Sequence, residues 1–141
     1  KLAAFRAVAE ASGIAGEVTV ERAMFAIEGG QAAGTRLLQH GVTGVICASD
    51  PLALGVIRAI RRARLDVPRD VSVVGFDDSA FMNCTDPPLT TVRQPIDAMG
   101  RAVVTLLANQ IDGAAASDEE LLFEPELVVR SSTGPAPRAT D

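Results

Sequence analysis

The sequence contains neither tryptophan nor tyrosine, and five phenylalanines supply all of its aromatic side chains. A ligand that stacks on an aromatic ring can therefore find only phenylalanine in this chain. One histidine and two cysteines are present, without a CxxC pair or a His/Cys cluster, so the sequence predicts no metal site and no bound cofactor. We expect Cys47 and Cys84 to be reduced, buried thiols of a cytoplasmic protein.

Long apolar runs and a surplus of positive charge are also missing. No run of about 18 apolar residues occurs, so we expect no membrane span. The formal net charge is -5, which leaves little positive surface to neutralise phosphates. We therefore expect that this chain does not itself bind nucleic acid. The 141 residues are 48% hydrophobic, enough for one ordinary core or parts of two smaller ones. Because Lys1 leads straight into a helix-like segment, we interpret the chain as a piece of a larger protein.

Apolar spacing predicts alternating helices and strands. The expected order is a helix from residue 1 to Gly13, a strand over 17–25, a helix over 31–39, a strand over 43–49, a helix over 49–65 and a strand over 71–76. Residues 28–30 (EGG) are expected to form a loop. Ser49 or Asp50 can cap the third helix, and Pro51 suits its first turn. This alternation is typical of a doubly wound parallel α/β sheet.

Two aspartates, Asp77 and Asp78, directly follow the last of these strands in the segment SVVGFDDSAF. Ligands of open α/β sheets bind beyond the carboxyl ends of the strands. A carboxylate in that place can accept hydrogen bonds from two hydroxyls, or from a hydroxyl and an amine, of a small polar ligand. The alternative is local, because an Asp after a strand commonly caps the next helix. We expect Asp78 to cap and Asp77 to face a cleft.

Beyond residue 84, the sequence predicts a rigid crossing followed by one long helix. The Pro-Pro pair of TDPPLTT fixes an extended segment that could contain a cis bond. Residues 96–111 carry an apolar helical stripe of Ile96, Met99, Val103, Leu107 and Ile111, and Gly113 ends the helix. We expect a flexible linker over 114–120, a strand over 121–130 with a break at Pro125, and a disordered tail over 134–141.

No catalytic site is predicted, and we expect the protein not to be an enzyme. His40 has no Ser or carboxylate in an obvious nucleophile elbow. Asp77 and Asp78 would point to opposite sides of an extended chain, which is poor geometry for an acid/base pair. Neither a phosphate-binding loop nor zinc-ligand spacing occurs.

Four motifs in fixed order resemble the effector-binding core of the lactose/galactose repressor family of bacterial transcription regulators. They are D-x-x-A-L-G, V-P-x-D-V-S-V-V-G-F-D-D, P-P-L-T-T-V-x-Q and E-L-V-V-R-x-S-T. The resemblance covers almost the whole chain beyond the opening helix, and this ordered set is far more restrictive than a single glycine motif.

The resemblance implies a periplasmic-binding-protein-like core of two subdomains that close around an effector. Residues 1–92 would be most of the second subdomain, and residues 93–115 a crossover and helix returning to the absent first subdomain. Residues 116–132 would be a linker and returning strand, and residues 133–141 a disordered tail. Thr90 to Gln94 would form part of the hinge between subdomains. Without the first subdomain the stripe on residues 96–111 would be exposed, and we expect repacking or self-association.

Effector contacts are implied residue by residue. Asp77 matches the aspartate that contacts effector hydroxyls or base edges, and Gln94 a glutamine near the cleft. The other matched positions are Ser49 in place of the usual Asn, Asp50 beside it, Lys1 for an arginine, and Gln31 and Ile96 where members carry aromatic rings. Lys1 keeps the positive charge without the bidentate fork of arginine. A pentose, a hexose or a nucleoside-like effector all fit this set.

Two functions remain open from the sequence. The first is a cytoplasmic transcription regulator, a repressor, whose effector controls operator binding by a helix-turn-helix headpiece absent from this chain, and which works as a homodimer. The second is a transport-type sugar-binding protein with the same core. The regulator-style motifs and the unpaired thiols favour the first.

Overall fold

A computed structural model describes residues 1–113 and 120–137, and these contain four α-helices and a four-stranded sheet. The helices are α1 (Leu2–Ala11), α2 (Ile27–Leu38), α3 (Asp50–Arg62) and α4 (Ile96–Ile111). The strands are β1 (Gly44–Ile46), β2 (Ser72–Asp77), β3 (Thr90–Arg93) and β4 (Glu126–Val128). Where the structure describes the chain, no helix is both long and apolar enough to cross a membrane.

The sheet is mostly parallel, as the alternating pattern predicts. Its order is β1-β2-β3-β4, with β1, β2 and β3 parallel and β4 antiparallel to β3. Val45 of β1 lies beside Val73 of β2, while Gly75 lies beside Thr91 of β3. The α/β fold class is therefore confirmed.

The predicted cap of α3 is also confirmed. The Ser49 hydroxyl accepts a hydrogen bond from the Leu52 amide at 3.4 Å, and Pro51 lies in the first turn. The helix buries its apolar face against the sheet. Ile60, Val73 and Leu89 have no exposed surface at the centre of this core.

Helix α2 begins at Ile27, so the prediction of a loop over residues 28–30 was wrong. Glycine is a poor helix former, but here it lets two helices approach closely. A Cβ atom at Gly30 would collide with the backbone of Leu52, and one at Gly55 would collide with the backbone of Ile27. Close packing between α2 and α3 therefore requires glycine at both positions.

The predicted strand over residues 17–25 was also wrong. A short 3₁₀ turn spans Ala15–Glu17, and irregular chain follows it. The β-branched residues give this segment strand propensity, but propensity yields a strand only where a partner strand pairs with it. Instead, Arg36 of α2 holds the segment through Glu21 at 2.8 Å and through the Arg22 carbonyl.

Helix α4 has the predicted bounds, and it is followed by Gly113 at a φ of +89°. Its apolar stripe faces solvent among the described residues, with Val103 54%, Leu107 54% and Ile111 83% exposed. Residues 114–119 of the predicted linker lie outside the described residues. The Asp86–Pro87 bond is cis, as the Pro-Pro segment allowed.

The returning segment is shorter and better anchored than expected. Strand β4 starts after Pro125 and ends at Val128. Residues 133 and 134 fall in the predicted disordered tail, yet the Gly134 amide donates to the Ser72 hydroxyl at 3.1 Å and the Thr133 hydroxyl lies 3.1 Å from that of Thr90. Residues 138–141 lie outside the described residues.

We predict that Ser132→Ala destabilises the fold by about 2 kcal/mol, because it leaves buried groups without a partner. The Ser132 hydroxyl has no exposed surface, accepts from the Thr90 amide at 2.8 Å and donates to the Val73 carbonyl at 2.7 Å. Urea unfolding measures the loss. The exposed neighbour Ser131→Ala is the control, with an expected change below about 0.5 kcal/mol; equal effects of the two variants would refute the bridging role.

Candidate functional site

The carboxyl ends of β1, β2 and β3 lie at one edge of the sheet, because these strands are parallel. Three segments leave the sheet there, at residues 47–50, 77–79 and 94–96. Most of the residues nominated from the sequence belong to these segments. The edge is therefore the candidate binding site.

Asp77 and Gln94 form the centre of this edge. Asp77 is the last residue of β2 and is partly exposed. Its register partner on β3 is Arg93, so Gln94 follows one position beyond. The Gln94 side-chain amide donates to Asp77 Oδ1 at 2.7 Å. This pair offers carboxylate and amide oxygens as acceptors and amide hydrogens as donors.

Lys1 adds a positive charge to the same edge. Its Nζ donates to the Ala48 carbonyl at 3.0 Å, just beyond the end of β1. The same ammonium lies 3.5 Å from the centroid of the Phe76 ring, a cation–π contact. Lys1 therefore lies between the ends of β1 and β2, at the same edge of the sheet as Asp77.

Ser49 and Asp50 lie at this edge but are completely buried. The Ser49 hydroxyl is used in the helix cap described above. Asp50 Oδ1 accepts from the Thr91 hydroxyl at 2.7 Å, and Asp50 Oδ2 accepts from the Ser79 amide at 2.7 Å. Their polar groups are therefore engaged in holding the fold, and neither side chain presents surface to a ligand.

The two positions matched to aromatic rings differ in placement. Ile96 is 57% exposed at the start of α4, and its amide donates to the Gln94 carbonyl at 2.8 Å, so it borders the Asp77 pair. Gln31 lies within α2, where its backbone packs against Gly55. In the described part of the chain, no hydrogen bond links the Gln31 side chain to the Asp77 pair.

Asp78 does not cap a helix, which corrects the expectation from the sequence. Turns and bends follow it up to β3. Its Oδ1 pairs with Arg130 at 2.7 Å and its Oδ2 with Arg93 at 2.6 Å, while Arg93 also reaches Glu126 at 3.2 Å. Both arginines lie inside the motifs quoted above, so the sequence contained the partners of Asp78. The rule that predicts helix caps considers only neighbours along the chain, and it therefore missed them.

The surroundings of Asp78 shift the pKa of its carboxyl group. Burial alone raises the pKa of Asp78, but hydrogen bonds and charges from Arg130 and Arg93 outweigh burial and hold that pKa below its ordinary value.

The two cysteines differ in their surroundings. Burial, reinforced by the charge of Asp50, raises the pKa of the Cys47 thiol to about 12. Cys47 is therefore protonated near neutral pH. Cys84 is exposed, so the expectation of two buried thiols was wrong for this residue.

Two surface cavities lie elsewhere. One, of about 460 Å³, is lined by Arg58, Arg61 and Arg62 of α3 together with Thr85 and Asp86. The other, of about 340 Å³, lies between α1 and the segment that follows it. Neither contains Asp77 or Gln94, so the candidate site is defined by its polar groups and its place on the sheet.

Comparison with known proteins identifies the fold family. The periplasmic binding protein-like domain matches residues 2–133. The chain belongs to this family. It is 56% identical over 118 residues to the HTH-type transcriptional regulator MalR of Streptomyces coelicolor, a match covering 84% of this chain and 34% of that protein. The chain thus spans about a third of the length of the curated relatives it matches.

Solved structures give the same assignment. A LacI family transcriptional regulator from Enterococcus faecium with bound ribose superimposes with a TM-score of 0.84 at 29% identity, covering 95% of this chain and 50% of that one. The complex of the transcriptional regulator CelR with cellobiose gives 0.80 at 34% identity, covering 91% and 40%. The resemblance to the lactose/galactose repressor family is therefore confirmed, and these relatives are regulators, not enzymes.

We predict that Asp78→Asn lowers the free energy of unfolding by about 2 kcal/mol near neutral pH, because it removes a charge that two guanidinium groups face. The folded pKa of Asp78 is lowered, so its stabilisation is complete above the unfolded pKa of about 3.9 and is lost as pH falls through the folded value. The difference between wild type and variant should therefore shrink below roughly pH 4 in urea titrations.

The control for this prediction is Asp86→Asn. Asp86 also pairs with an arginine, Arg61, but its side chain is 95% exposed. Exposed pairs contribute little, so Asp86→Asn should have a small effect at every pH. A pH-independent loss in Asp78→Asn would contradict the assignment.

Proposed function

We propose that this chain is the effector-sensing part of a bacterial transcription regulator. The effector is a small polar molecule, a sugar or a nucleoside, and its binding controls how a helix-turn-helix headpiece binds operator DNA. The observation that carries the proposal is the Asp77–Gln94 pair at the carboxyl edge of the sheet, 2.7 Å apart and accessible.

The chemistry of this edge suits a polyhydroxylated ligand. A hydroxyl can donate to the Asp77 carboxylate and accept from the Gln94 amide or the Lys1 ammonium. Hydrogen bonds to charged groups contribute more than neutral ones, so Asp77 would dominate affinity and Gln94 would orient the ligand. Relatives that hold ribose and cellobiose support a sugar in this role.

Transmission to DNA would use the crossover after β3. Residues 94 and 95 lead from β3 into α4, whose exposed apolar stripe offers a surface for the first subdomain. A ligand that contacts Asp77 and Gln94 touches both the sheet and the start of this crossover. Its binding would therefore favour one angle between subdomains. In a homodimer that angle sets the spacing of two headpieces on a two-fold operator.

The transport-type alternative has less support, because the relatives described above are transcription regulators. N-terminal sequencing and intact mass of the protein from its host separate the two. A helix-turn-helix headpiece ahead of Lys1 is expected, whereas a processed secretory leader would favour export.

We predict that Asp77→Asn weakens sugar binding by about tenfold to a hundredfold, since charge-assisted hydrogen bonds become neutral ones. The full-length regulator is titrated calorimetrically with ribose and with cellobiose. Asparagine is the same size and tolerates the φ of 112° better than most residues. Asp86→Asn, the same change at an exposed site, should leave binding intact; unchanged affinity in Asp77→Asn would remove Asp77 from the contacts.

A further inference from the structure

The turn that carries Asp77 has an uncommon backbone. Asp77 and Asp78 have φ values of 112° and 53°, two consecutive non-glycine residues in the region that favours glycine. Such a conformation costs free energy and persists only where surrounding contacts enforce it. The contacts that enforce it therefore also decide where the Asp77 carboxylate points.

Asp50 provides one of those contacts, since its Oδ2 accepts from the Ser79 amide at 2.7 Å, and the side chain of Asp78 provides two more. It is 8% exposed and each of its oxygens meets a different arginine, Arg130 at 2.7 Å and Arg93 at 2.6 Å. Arg130 is itself fixed, because its Nη1 donates to the Leu89 carbonyl at 2.8 Å. The turn is thus tied to β3 through Arg93 and to the segment just after β4 through Arg130.

We propose that Asp78 is a positioning residue, which through Arg93 and Arg130 makes the orientation of the Asp77 carboxylate depend on the placement of β3 and β4. This inference rests on the proposed role of Asp77 in effector binding. Strand β3 leads into α4, and β4 is the strand that follows α4 along the chain. Arg93 is followed directly by Gln94 and the crossover into α4, so the two arginines hold the Asp77 carboxylate in a fixed place relative to the start of that crossover.

The Gln94 side-chain amide reports the position of Asp77, because it donates to Asp77 Oδ1. The NMR signal of this amide in the full-length regulator is assigned as the one that disappears in Gln94→Leu. The position of the signal is then compared between wild type, Asp78→Asn and Arg130→Met. Asp77→Ala gives the position of the unbonded amide, and Asp86→Asn is the control. In Asp78→Asn and Arg130→Met the signal should move toward the unbonded position, while Asp86→Asn leaves it in place. A lower melting temperature with an unmoved Gln94 signal would overturn the proposal.

Sugar binding gives a second, independent readout. With whichever of ribose and cellobiose the wild type binds, Asp78→Asn should weaken binding by about tenfold. It should have no further effect in an Asp77→Asn background, because it acts through Asp77. The same loss in both backgrounds would overturn the proposal.

If the wild type binds neither sugar, the proposed effector class fails, and the Gln94 signal still decides the role of Asp78. If Asp78→Asn does not fold, Arg93→Gln takes its place, because it removes only the more exposed of the two arginines that face Asp78. The Gln94 signal should then move toward the unbonded position by less than it does in Arg130→Met.

Discussion

The site depends on one buried carboxylate, that of Asp50. This side chain begins α3, accepts from the Ser79 amide beyond β2 and from the Thr91 hydroxyl of β3, and has no exposed surface. A Cβ atom at Gly75 would collide with it. Burial of a carboxyl group is costly unless its oxygens are bonded, and the start of a helix adds favourable backbone dipoles. The position of a helix, a turn and a strand at the binding edge therefore follows from satisfying Asp50.

The three aspartates at this edge are distinguished by their partners. Asp50 is satisfied by neutral groups in the interior, and Asp78 by two guanidinium groups. Asp77 is partly exposed, and its described partner is the amide of Gln94. A carboxylate that accepts from a neutral amide is held less strongly than one that faces two guanidinium groups, so a ligand hydroxyl can add to the Gln94 bond or replace it. The two held carboxylates fix the turn, and Asp77 is the one of the three that is free to take the proposed ligand.

Features that depend on neighbouring residues could be predicted from the sequence, and features that depend on distant partners could not. The cap at Ser49, the stripe of α4 and the strand before Asp77 are local patterns. Residues 17–25 have strand propensity, but no strand in the described part of the chain pairs with them, and propensity does not reveal this. Asp78 was misassigned because its partners lie on other strands, and Asp50 was taken for an effector contact although Thr91, far along the chain, covers it.

Strands β3 and β4 also limit where the chain can bend. The resemblance places a hinge over Thr90 to Gln94, but Thr90–Arg93 is strand β3. Thr90 and Thr91 are buried, Thr90 is paired with β2, and Thr91 is paired with both β2 and β4. The guanidinium of Arg93 faces Asp78 and Glu126, so a shift of β3 alone would separate these charges. Strands β2, β3 and β4 are therefore expected to move as one body. A bend between this sheet and α4 then falls at Gln94 and Pro95, next to the carboxylate that would bind the effector.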